Sequence, residues 1–450
     1  MKTRAIQIIL TGILIGFCFL ANAQQRDTTR QTHAFTVDDA VNYAKKNSVQ
    51  VRNALIDLQI QNQSNKEITA SALPQLNGTG TLNDFLDIPT SLIPAEFTGG
   101  PAGTYIPIKF GTKYNATGGL SISQLLFDGQ VFVGLQARST SLKFYQKQAE
   151  VTEEALKVNV EKIYYQLVVG RQQLTTVDAN ISRFEKLLHD TKEIYKQGFA
   201  EQLDIDKVNV QLINLQTQRV KTQNQLDAGN AGLKFLLNMP QKDRLILVDS
   251  ITEDKLKENV LSNNYNYEDR KEYQLLQLSK KLNEFNIKRY KLSYLPSLSA
   301  NGNYSTNAQR KKFDFFKGGP WYKTSIIGLS LQVPIFDGFA KRSRINEARL
   351  ALEKTNNNIE QLEASIENDI SQSTLSITSS LVTMDAQKQN MQLAEKVYNS
   401  TKLKYEQGLG SNQEISTAQA DLVTAQNNYY SSLYDAIIAK IDYLKAAGKL

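Results

Sequence analysis

The tetrapeptide Tyr195-Lys196-Gln197-Gly198 returns as Tyr405-Glu406-Gln407-Gly408, about 210 residues further along the chain. Each copy interrupts a very long helical pattern and is followed by an amphipathic helical pattern running the other way. Two further motifs recur in the same order, namely Leu73-Pro74-Gln75-Leu76 as Leu295-Pro296-Ser297-Leu298, and Leu125-Leu126-Phe127-Asp128-Gly129 as Pro334-Ile335-Phe336-Asp337-Gly338. A whole series of motifs repeated at similar spacing indicates one structural unit built twice.

The first 23 residues have the features of a secretory signal peptide. Lys2 and Arg4 precede an apolar segment, residues 6–20, and Ala21-Asn22-Ala23 fits a cleavage site. The mature chain is therefore expected to begin at Gln24 and to lack Cys18, the only cysteine. Loss of two of the 52 basic residues leaves 50 against 45 acidic ones, and this mild excess is not clustered with aromatics, so no nucleic-acid partner is predicted.

Helical periodicity divides the rest of the chain. Thr36 and Asp39 predict a capped start for a helix over 37–72 that Pro74 ends, and Asp128 and Asp337 are natural N-caps. The other predicted helices are two long ones, 131–196 and 339–406, two return helices, 202–237 and 412–445, and a shorter one, 268–295. The long helices would each reach about 100 Å, and in each half the two shorter helices, stacked end to end, would match that length. The predicted division is a first repeat over 24–237, a linker over 238–267 with a small strand-and-turn piece, and a second repeat over 268–450.

Each half also contains a stretch with a period of two. The hairpins are predicted over 75–127 and 297–336. Small or apolar residues alternate with Ser, Thr, Asn and Gln in all four strands; the fourth places Ile327, Leu329, Leu331 and Val333 against Ser325, Ser330 and Gln332. Such strands suit a wall between lipid and water, and a soluble half-buried antiparallel sheet would give the same alternation.

The connections within the hairpins differ in length. The first, 84–113, is long and carries four prolines, whereas the second, 307–320, is shorter and basic. Long loops on one side and tight ends on the other are typical of outer-membrane barrels. Aromatic residues in and just after the second loop are candidates for the membrane interface, with a surface-loop cluster as the alternative: Phe313, Phe315, Phe316, Trp321 and Tyr322.

The return helices repeat every seven residues, which predicts one narrow apolar seam along each. The seam positions are Ile205, Val208, Leu212 and Leu215 in the first, and Ile415, Ala418, Leu422 and Ala425 in the second. Broad polar flanks would let such helices form a shell with a wet inner surface. Four strands cannot close a barrel alone, so other copies must complete it; two copies would give eight strands, and three would give twelve strands and twelve helical columns.

With the paired motifs, the strand-to-helix Phe-Asp-Gly turns and the helix lengths together, the chain resembles the TolC-like outer membrane efflux proteins, also called outer membrane factors. The resemblance covers nearly all of the mature chain. It implies an α+β membrane protein: a homotrimer whose 12-stranded transmembrane β-barrel, four strands per chain, continues into a 12-helix periplasmic α-barrel. It also implies a passive channel-tunnel in the outer membrane that reaches into the periplasm, serves multidrug efflux or type I secretion, and performs no chemistry itself.

The partners implied by the resemblance are outer-membrane lipid, a periplasmic adaptor (membrane fusion) protein and an inner-membrane pump of the RND, ABC or MFS type. In this family the helix tips form the periplasmic aperture. The tip residues Tyr195, Gly198, Tyr405 and Gly408 are then candidates for adaptor docking, against the plainer interpretation that they only break and pack a helix turn. The strand-to-helix turns are Asp128, Gly129, Asp337 and Gly338.

An acidic constriction is also implied at the aperture. The family pattern has an acid nine residues after the tip tyrosine, and Asp204 and Glu414 occupy those positions. Three copies of each would attract cations to the pore axis; the alternative is that both carboxylates only favour their helix starts. Thr417 and Gly410 stand where a familiar family member has another acid and a latching arginine, so its closing salt bridge is not expected here.

No catalytic or metal-binding site is predicted. The two histidines, His33 and His189, have no Cys, Ser or carboxylate at a recognisable spacing, and both are expected to be solvated. Neither a cofactor nor a dedicated metal route is predicted. The competing hypothesis is a structural coiled-coil or scaffold protein of the envelope without a channel, which accounts for the long helices but not for the two hairpins. The sequence leaves cargo open.

Overall fold

A computed structural model describes residues 31–250, 256–258 and 265–450. The signal peptide predicted over 1–23 lies outside these residues, as do parts of the linker predicted over 238–267. The chain divides into two compact units. Within the described residues, we call 31–52, 153–250, 256–258, 265 and 369–450 the helical unit, and 53–152 and 266–368 the sheet unit.

Seven α-helices and eight strands are the main elements in the described part of the chain, and their order places hairpins between long helices. The strands are β1 (Thr32–Phe35), β2 (Gln75–Asp84), β3 (Thr90–Pro94), β4 (Tyr105–Lys109), β5 (Tyr114–Phe127), β6 (Arg244–Leu247), β7 (Ser297–Arg310) and β8 (Tyr322–Gln332). The helices are α1 (Val37–Asn47), α2 (Val49–Ala70), α3 (Gly129–Lys196), α4 (Gln202–Leu236), α5 (Lys271–Leu292), α6 (Ala340–Glu406) and α7 (Asn412–Ala446).

The single helix predicted over 37–72 was wrong, because the chain breaks at Ser48. This residue has an extended backbone with ψ 131°. Its amide donates to the carbonyl oxygen of Ala44 (2.7 Å), and its own carbonyl oxygen accepts from the amide of Arg52 (3.0 Å). Ser48 therefore ends α1 and begins α2 at once. Serine is suited to such a junction because its hydroxyl competes with helical hydrogen bonding.

The sheet unit contains one four-stranded antiparallel sheet in the order β2-β5-β7-β8. Both predicted hairpins are present, and β5 pairs with β7 to join them. The register brings the small and apolar positions to one face, as Leu76 lies opposite Ile122 and Ala300 lies opposite Leu329. Ser325 is a correction: it lies opposite Tyr304, on the apolar face and not with Ser330 and Gln332.

The long connection over 84–113 has secondary structure of its own that the sequence did not predict. It contains the antiparallel pair β3 and β4, in which Leu92 lies opposite Pro107. Pro94 and Pro107 fall within this short pair, where unpaired outer edges need no donor from proline. The second connection is shorter than predicted because β7 continues to Arg310.

A small parallel pair, β1 with β6, was not predicted as a pair. The linker over 238–267 was expected to contain a small strand, and β6 is that strand, but its partner, Thr32–Phe35, lies just before the first helix. The pair covers a core of the helical unit that includes Tyr164, Leu167 and Leu233. His33 is a second correction, because its Nε2 lies 3.5 Å from Oδ2 of the buried Asp243 and its side chain is not freely solvated.

The seam positions predicted on the return helices are all buried, which confirms the seven-residue pattern. Val208 of α4 and Leu422 of α7 are fully enclosed in one cluster of the helical unit that also contains Phe184 of α3 and Tyr398 of α6. The first return helix, α4, therefore packs mainly by one stripe, whereas α7 also buries other positions over its second half, such as Tyr430, Ile437 and Ala439. The end-to-end stacking of the shorter helices stays a prediction.

Candidate functional site at the helix tips

Both long helices end in the same hydrogen-bonded turn. At the end of α3 the Gly198 amide donates to the Tyr195 carbonyl (2.9 Å) and the Phe199 amide donates to the Ile194 carbonyl (3.1 Å). At the end of α6, Gly408 and Leu409 donate in the same way to Tyr405 (3.0 Å) and Lys404 (2.9 Å). This is a Schellman motif, and it requires the left-handed backbone that the glycines adopt at φ 82° and 72°.

The Tyr-x-x-Gly repeat therefore has a main-chain explanation. Glycine occupies the left-handed position, and its amide donates a hydrogen bond to the carbonyl oxygen of the tyrosine three residues earlier. The two tyrosine side chains differ: Tyr405 packs against the cluster around Phe184 and Leu422, whereas Tyr195 is exposed. The role assigned to these four tip residues in adaptor docking stays a prediction.

The return helices end in the same way, again 210 residues apart. Asn238 closes α4 at φ 53° and Gly448 closes α7 at φ 68°. The Met239 and Lys449 amides donate across the turns to the carbonyls of Lys234 (2.8 Å) and Leu444 (2.9 Å). Asparagine tolerates the left-handed conformation better than most residues. The two turns therefore share a conformation although their residues differ, so the sequences alone do not show that they are equivalent.

The apolar residues that follow the tip glycines are more exposed than the tyrosines. Phe199 is 83% and Leu409 is 78% exposed. They occupy equivalent positions in the two repeats, 210 residues apart, and are therefore candidates for a contact surface at the tips. Sequence reasoning missed them because it followed the conserved spacing of Tyr and Gly within the repeat, whereas the variable position after glycine carries the exposed group.

The acidic pair predicted for the aperture lies at equivalent first-turn positions but in different settings. Asp204 Oδ2 accepts a hydrogen bond from the Glu201 amide (3.2 Å), so this carboxylate caps the start of α4. The Glu414 amide donates to the Ser411 hydroxyl (3.2 Å), which caps α7. The Glu414 carboxylate is exposed and forms no hydrogen bond or ion pair with any described residue. Capping thus accounts for Asp204 but not for the Glu414 side chain.

The two helix starts also contact each other. The Asn412 side-chain amide donates to the Asp204 main-chain carbonyl (3.3 Å), and the Lys207 ammonium donates to the Gln413 side chain (3.2 Å). Glu201 and Asp206 add further carboxylates near Asp204. The tips therefore join a first-repeat helix to a second-repeat helix through polar groups.

At the end of α3, the Lys196 ammonium donates a hydrogen bond to the Glu193 carboxylate (2.7 Å) and lowers the pKa of that carboxyl.

Next to the apolar cluster around Phe184 and Leu422, polar side chains connect α3 to α7. The residue pairs are Gln173 with Asn427 (3.1 Å), Thr176 with Tyr430 (2.7 Å) and Asn180 with Gln426 (2.7 Å). Asn180 is buried, and a buried polar pair is costly to break because each group loses its partner without gaining water. This polar ladder fixes how α3 and α7 align.

Among the other titratable groups of the helical unit with shifted pKa values, Glu161 and Tyr165 lie on α3. Burial raises the pKa of Glu161 above its usual range, with the Lys157 ammonium opposing the shift. Burial also raises the pKa of Tyr165 to about 12. No group of three or more His, Cys, Asp or Glu residues able to hold a metal ion occurs among the described residues.

The two strand-to-helix turns of the sheet unit share the sequence Phe-Asp-Gly but differ in the constraint on the glycine. Asp128 Oδ1 accepts from the amides of Gln130 (2.7 Å) and Val131 (3.2 Å), and Asp337 Oδ2 accepts from the Lys341 amide (2.9 Å). Asp128 is thus the N-cap that the sequence predicted for α3, whereas Asp337 is a correction: it lies three residues before Ala340, the first residue of α6, and reaches the first turn from outside the helix. Gly338 has φ 63°, whereas Gly129 does not need a left-handed backbone; a Cβ there would lie 2.7 Å from Cβ of Leu292.

None of the helices described here is both long and apolar enough to cross a membrane. The family model for "Outer membrane efflux protein" matches residues 282–449. TolC of Vibrio cholerae is 21% identical over 336 residues, which are 74% of this chain and 76% of that protein. TolC of Escherichia coli is 20% identical over 356 residues, 76% of this chain and 71% of that protein.

Solved structures share the fold at lower identity. CusC, described in terms of transmembrane channel formation, superposes with a TM-score of 0.74 at 16% identity and covers 95% of both chains. The outer membrane protein VceC of Vibrio cholerae superposes with a TM-score of 0.71 at 12% identity, covering 92% of this chain and 96% of its own. The fold is therefore that of these outer membrane proteins over nearly the full chain.

Proposed function

The chain is a relative of the TolC-like outer membrane efflux proteins, and we propose that three copies form a channel-tunnel that serves as the passive exit duct of a tripartite efflux or type I secretion system. Its place is the outer membrane, as for its relatives, with the helices in the periplasm. An adaptor protein and an inner-membrane pump of the RND, ABC or MFS type supply assembly and energy. The duct itself performs no chemistry.

The observation that carries this proposal is the exposed sheet of the sheet unit. Its apolar face is open: Leu76 is 69%, Leu329 is 73% and Ile327 is 93% exposed. Its edge strands, β2 and β8, have no outer partner among the described strands. Unpaired edges and exposed apolar faces are unfavourable in water, and unpaired edges are not tolerated in lipid. Pairing β2 of one copy with β8 of the next removes both edges.

Strand number favours three copies. In an eight-stranded barrel the side chains fill the interior, whereas a twelve-stranded barrel leaves an open lumen. The polar face of the sheet, with Asn77, Thr117, Asn303 and Ser330, would line that lumen, while the apolar face would meet lipid. The helices α3 and α6, with 68 and 67 residues, would each extend about 100 Å to form the tube.

Cysteine cross-linking tests the shared barrel directly, because the predicted mature chain has no cysteine. Thr79→Cys on β2 is combined in turn with single cysteines at alternate positions along β8. Oxidation in outer-membrane fractions should give a ladder that ends at three chains for a subset of positions, and Thr79→Cys alone should give none. The detergent-corrected mass should equal three chains. A periplasmic monomer or dimer without cross-links would favour the envelope scaffold instead.

The helix tips are proposed as the gated aperture and the adaptor-docking surface. Tyr195, Gly198, Tyr405 and Gly408 shape the turns, and the exposed Phe199 and Leu409 offer the apolar contact. Phe199→Ser with Leu409→Ser should reduce efflux in cells while the isolated trimer keeps its conductance. Unchanged efflux and unchanged adaptor cross-linking in this variant would move the docking surface elsewhere.

A further inference from the structure

A group of basic residues lies where the second repeat meets the sheet. It occupies the last turns of α5 and the first turns of α6, both in the sheet unit. We call it the basic belt, and its members are Lys288, Arg289, Lys291, Lys341, Arg342, Arg344 and Arg349. Because Ser297 pairs with Gln332, α5 enters and α6 leaves the sheet at the same end, and the belt is brought together there.

The charge is confined to this repeat. Residues 284–296 and 337–349 contain seven basic and three acidic side chains, Glu284, Asp337 and Glu347. The equivalent segments of the first repeat, 62–74 and 128–140, contain two of each: Lys66 and Arg138 against Glu67 and Asp128. The asymmetry means that the shared architecture does not require these charges.

Local stability does not account for them either. The start of α6 has no acidic residue in its first turn, and basic side chains there oppose the helix dipole. Arg342 and Arg344 are exposed and form no ion pair or hydrogen bond with any described residue, and the same holds for Lys291. By contrast, Lys341 lies 3.9 Å from Asp337 and Arg289 donates to the Tyr290 hydroxyl (3.1 Å).

The belt adjoins exposed apolar and aromatic side chains. Ile335 is 94% exposed, and Phe336 packs edge-on against Phe339 with ring centroids 5.6 Å apart. Tyr294 is exposed under the Lys341 ammonium, which lies 5.5 Å from the ring centroid. Aromatic rings next to Lys and Arg are typical of the membrane–water boundary, where the rings lie at headgroup depth and the cations attract anionic lipid.

We propose that the basic belt binds anionic phospholipid headgroups in the periplasm-facing leaflet of the outer membrane. This inference rests on the proposed function, which sets the sheet in that membrane. The occupant is a phospholipid because the cations continue directly from the apolar sheet face, which would contact its acyl chains. A zwitterionic headgroup has no net charge, so its electrostatic attraction to the basic belt would be weak.

The test uses the detergent-solubilised protein and short-chain phosphatidylglycerol as the probe. The variant Lys291→Gln, Arg342→Gln, Arg344→Gln removes three exposed cations without a described partner. The matched control, Lys311→Gln, Lys312→Gln, Lys317→Gln, makes the same charge change at the opposite end of the sheet. Each lost cation should weaken binding about five-fold, so we expect a loss on the order of a hundred-fold in the variant and little change in the control.

Each other result overturns the proposal. Equal binding by wild type and variant removes the belt as the site, and an equal loss in the control indicates a general charge effect. Equal binding of phosphatidylcholine removes headgroup selectivity, and displacement by inorganic phosphate indicates a free-anion site. The proposed function is judged separately from the trimer mass and from conductance in phosphatidylcholine bilayers, which the variant should keep.

Discussion

The side-chain amide of Asn412 donates a hydrogen bond to the main-chain carbonyl of Asp204 (3.3 Å), so the first turn of α7 is tied to the first turn of α4. The contact links the equivalent first turns of the two return helices, which the chain connects only over some 200 residues. Asn412 Oδ1 is buried and has no hydrogen-bond partner in the described chain. The tips are thus held by a polar contact that is only half satisfied, and such a contact separates at modest cost.

Asn412→Ala should loosen the tips. The lost hydrogen bond is worth about 0.5–1.5 kcal/mol, and its loss favours separation of the two helix starts. We expect a higher single-channel conductance in planar bilayers. Gln202→Ala is the control, because the Gln202 amide bonds only to Asp206 within α4. Equal conductance in wild type and Asn412→Ala would show that this contact does not hold the aperture.

Gly198→Ala and Gly408→Ala should each destabilise the protein. A left-handed backbone costs an L-residue with a Cβ about 1–2 kcal/mol, and no neighbouring atom is close enough to add a clash. Thermal unfolding and limited proteolysis at the tips measure the loss. Gly232→Ala is the matched control: it lies inside α4, has open space around a new Cβ, and should stabilise the protein by about 0.5–1 kcal/mol. Equal effects at all three sites would contradict the Schellman explanation.

Much of the fold was predictable because periodicity reports burial. The heptad positions on α4 and α7 are buried as predicted, and the alternating strands place their apolar positions on one face, with Ser325 as the exception. Both observations depend on side-chain spacing along a regular element. The break at Ser48 was missed because α1 and α2 have compatible patterns on either side, and a single residue with an extended backbone leaves no trace in the period.

Pairings between distant segments were less accessible. The partner of β6 is β1, some 210 residues earlier, and four residues are too few for a pattern to identify it. At the tips, the repeat identified the turns, yet it could not distinguish the capping carboxylate of Asp204 from the unpaired carboxylate of Glu414. That difference depends on which neighbouring amide each side chain reaches.

Substitution by asparagine should destabilise the protein much more at Gly129 than at Gly338. Gly338→Asn should be mild, because asparagine tolerates the left-handed region and nothing lies within 4 Å of a new Cβ. Gly129→Asn should cost about 1–3 kcal/mol through overpacking, since its Cβ would lie 2.7 Å from Cβ and 2.9 Å from the carbonyl oxygen of Leu292. Thermal unfolding compares the two. Equal losses would mean that the two turns share one constraint.

Glu161→Gln should raise stability at neutral pH. Burial raises the folded-state pKa of Glu161 above its usual value of 4.5, so the native state holds its proton more tightly than the unfolded state does. This contribution to stability is fully present below pH 4.5 and is lost as the pH rises through the folded-state pKa. The glutamine variant should flatten that decline in thermal unfolding scans.

Glu185→Gln is the control for this prediction, because Glu185 lies exposed on the same helix. It should leave the pH dependence of unfolding unchanged. A wild-type curve that is already flat between pH 4 and 8, or one that Glu161→Gln does not alter, would exclude ionisation of Glu161 as a cause.

Glu414→Gln and Asp204→Asn should separate selectivity from stability. Three copies of each carboxylate near the pore axis would attract cations, so both variants should shift the reversal potential in a salt gradient towards zero. Only Asp204→Asn should also lower the unfolding temperature, by the equivalent of about 0.5–2 kcal/mol, because Asp204 caps α4 and Glu414 leaves capping to Ser411. Unchanged selectivity in the double variant would exclude the acidic ring, while a stability loss without a selectivity change would leave Asp204 as a helix cap alone.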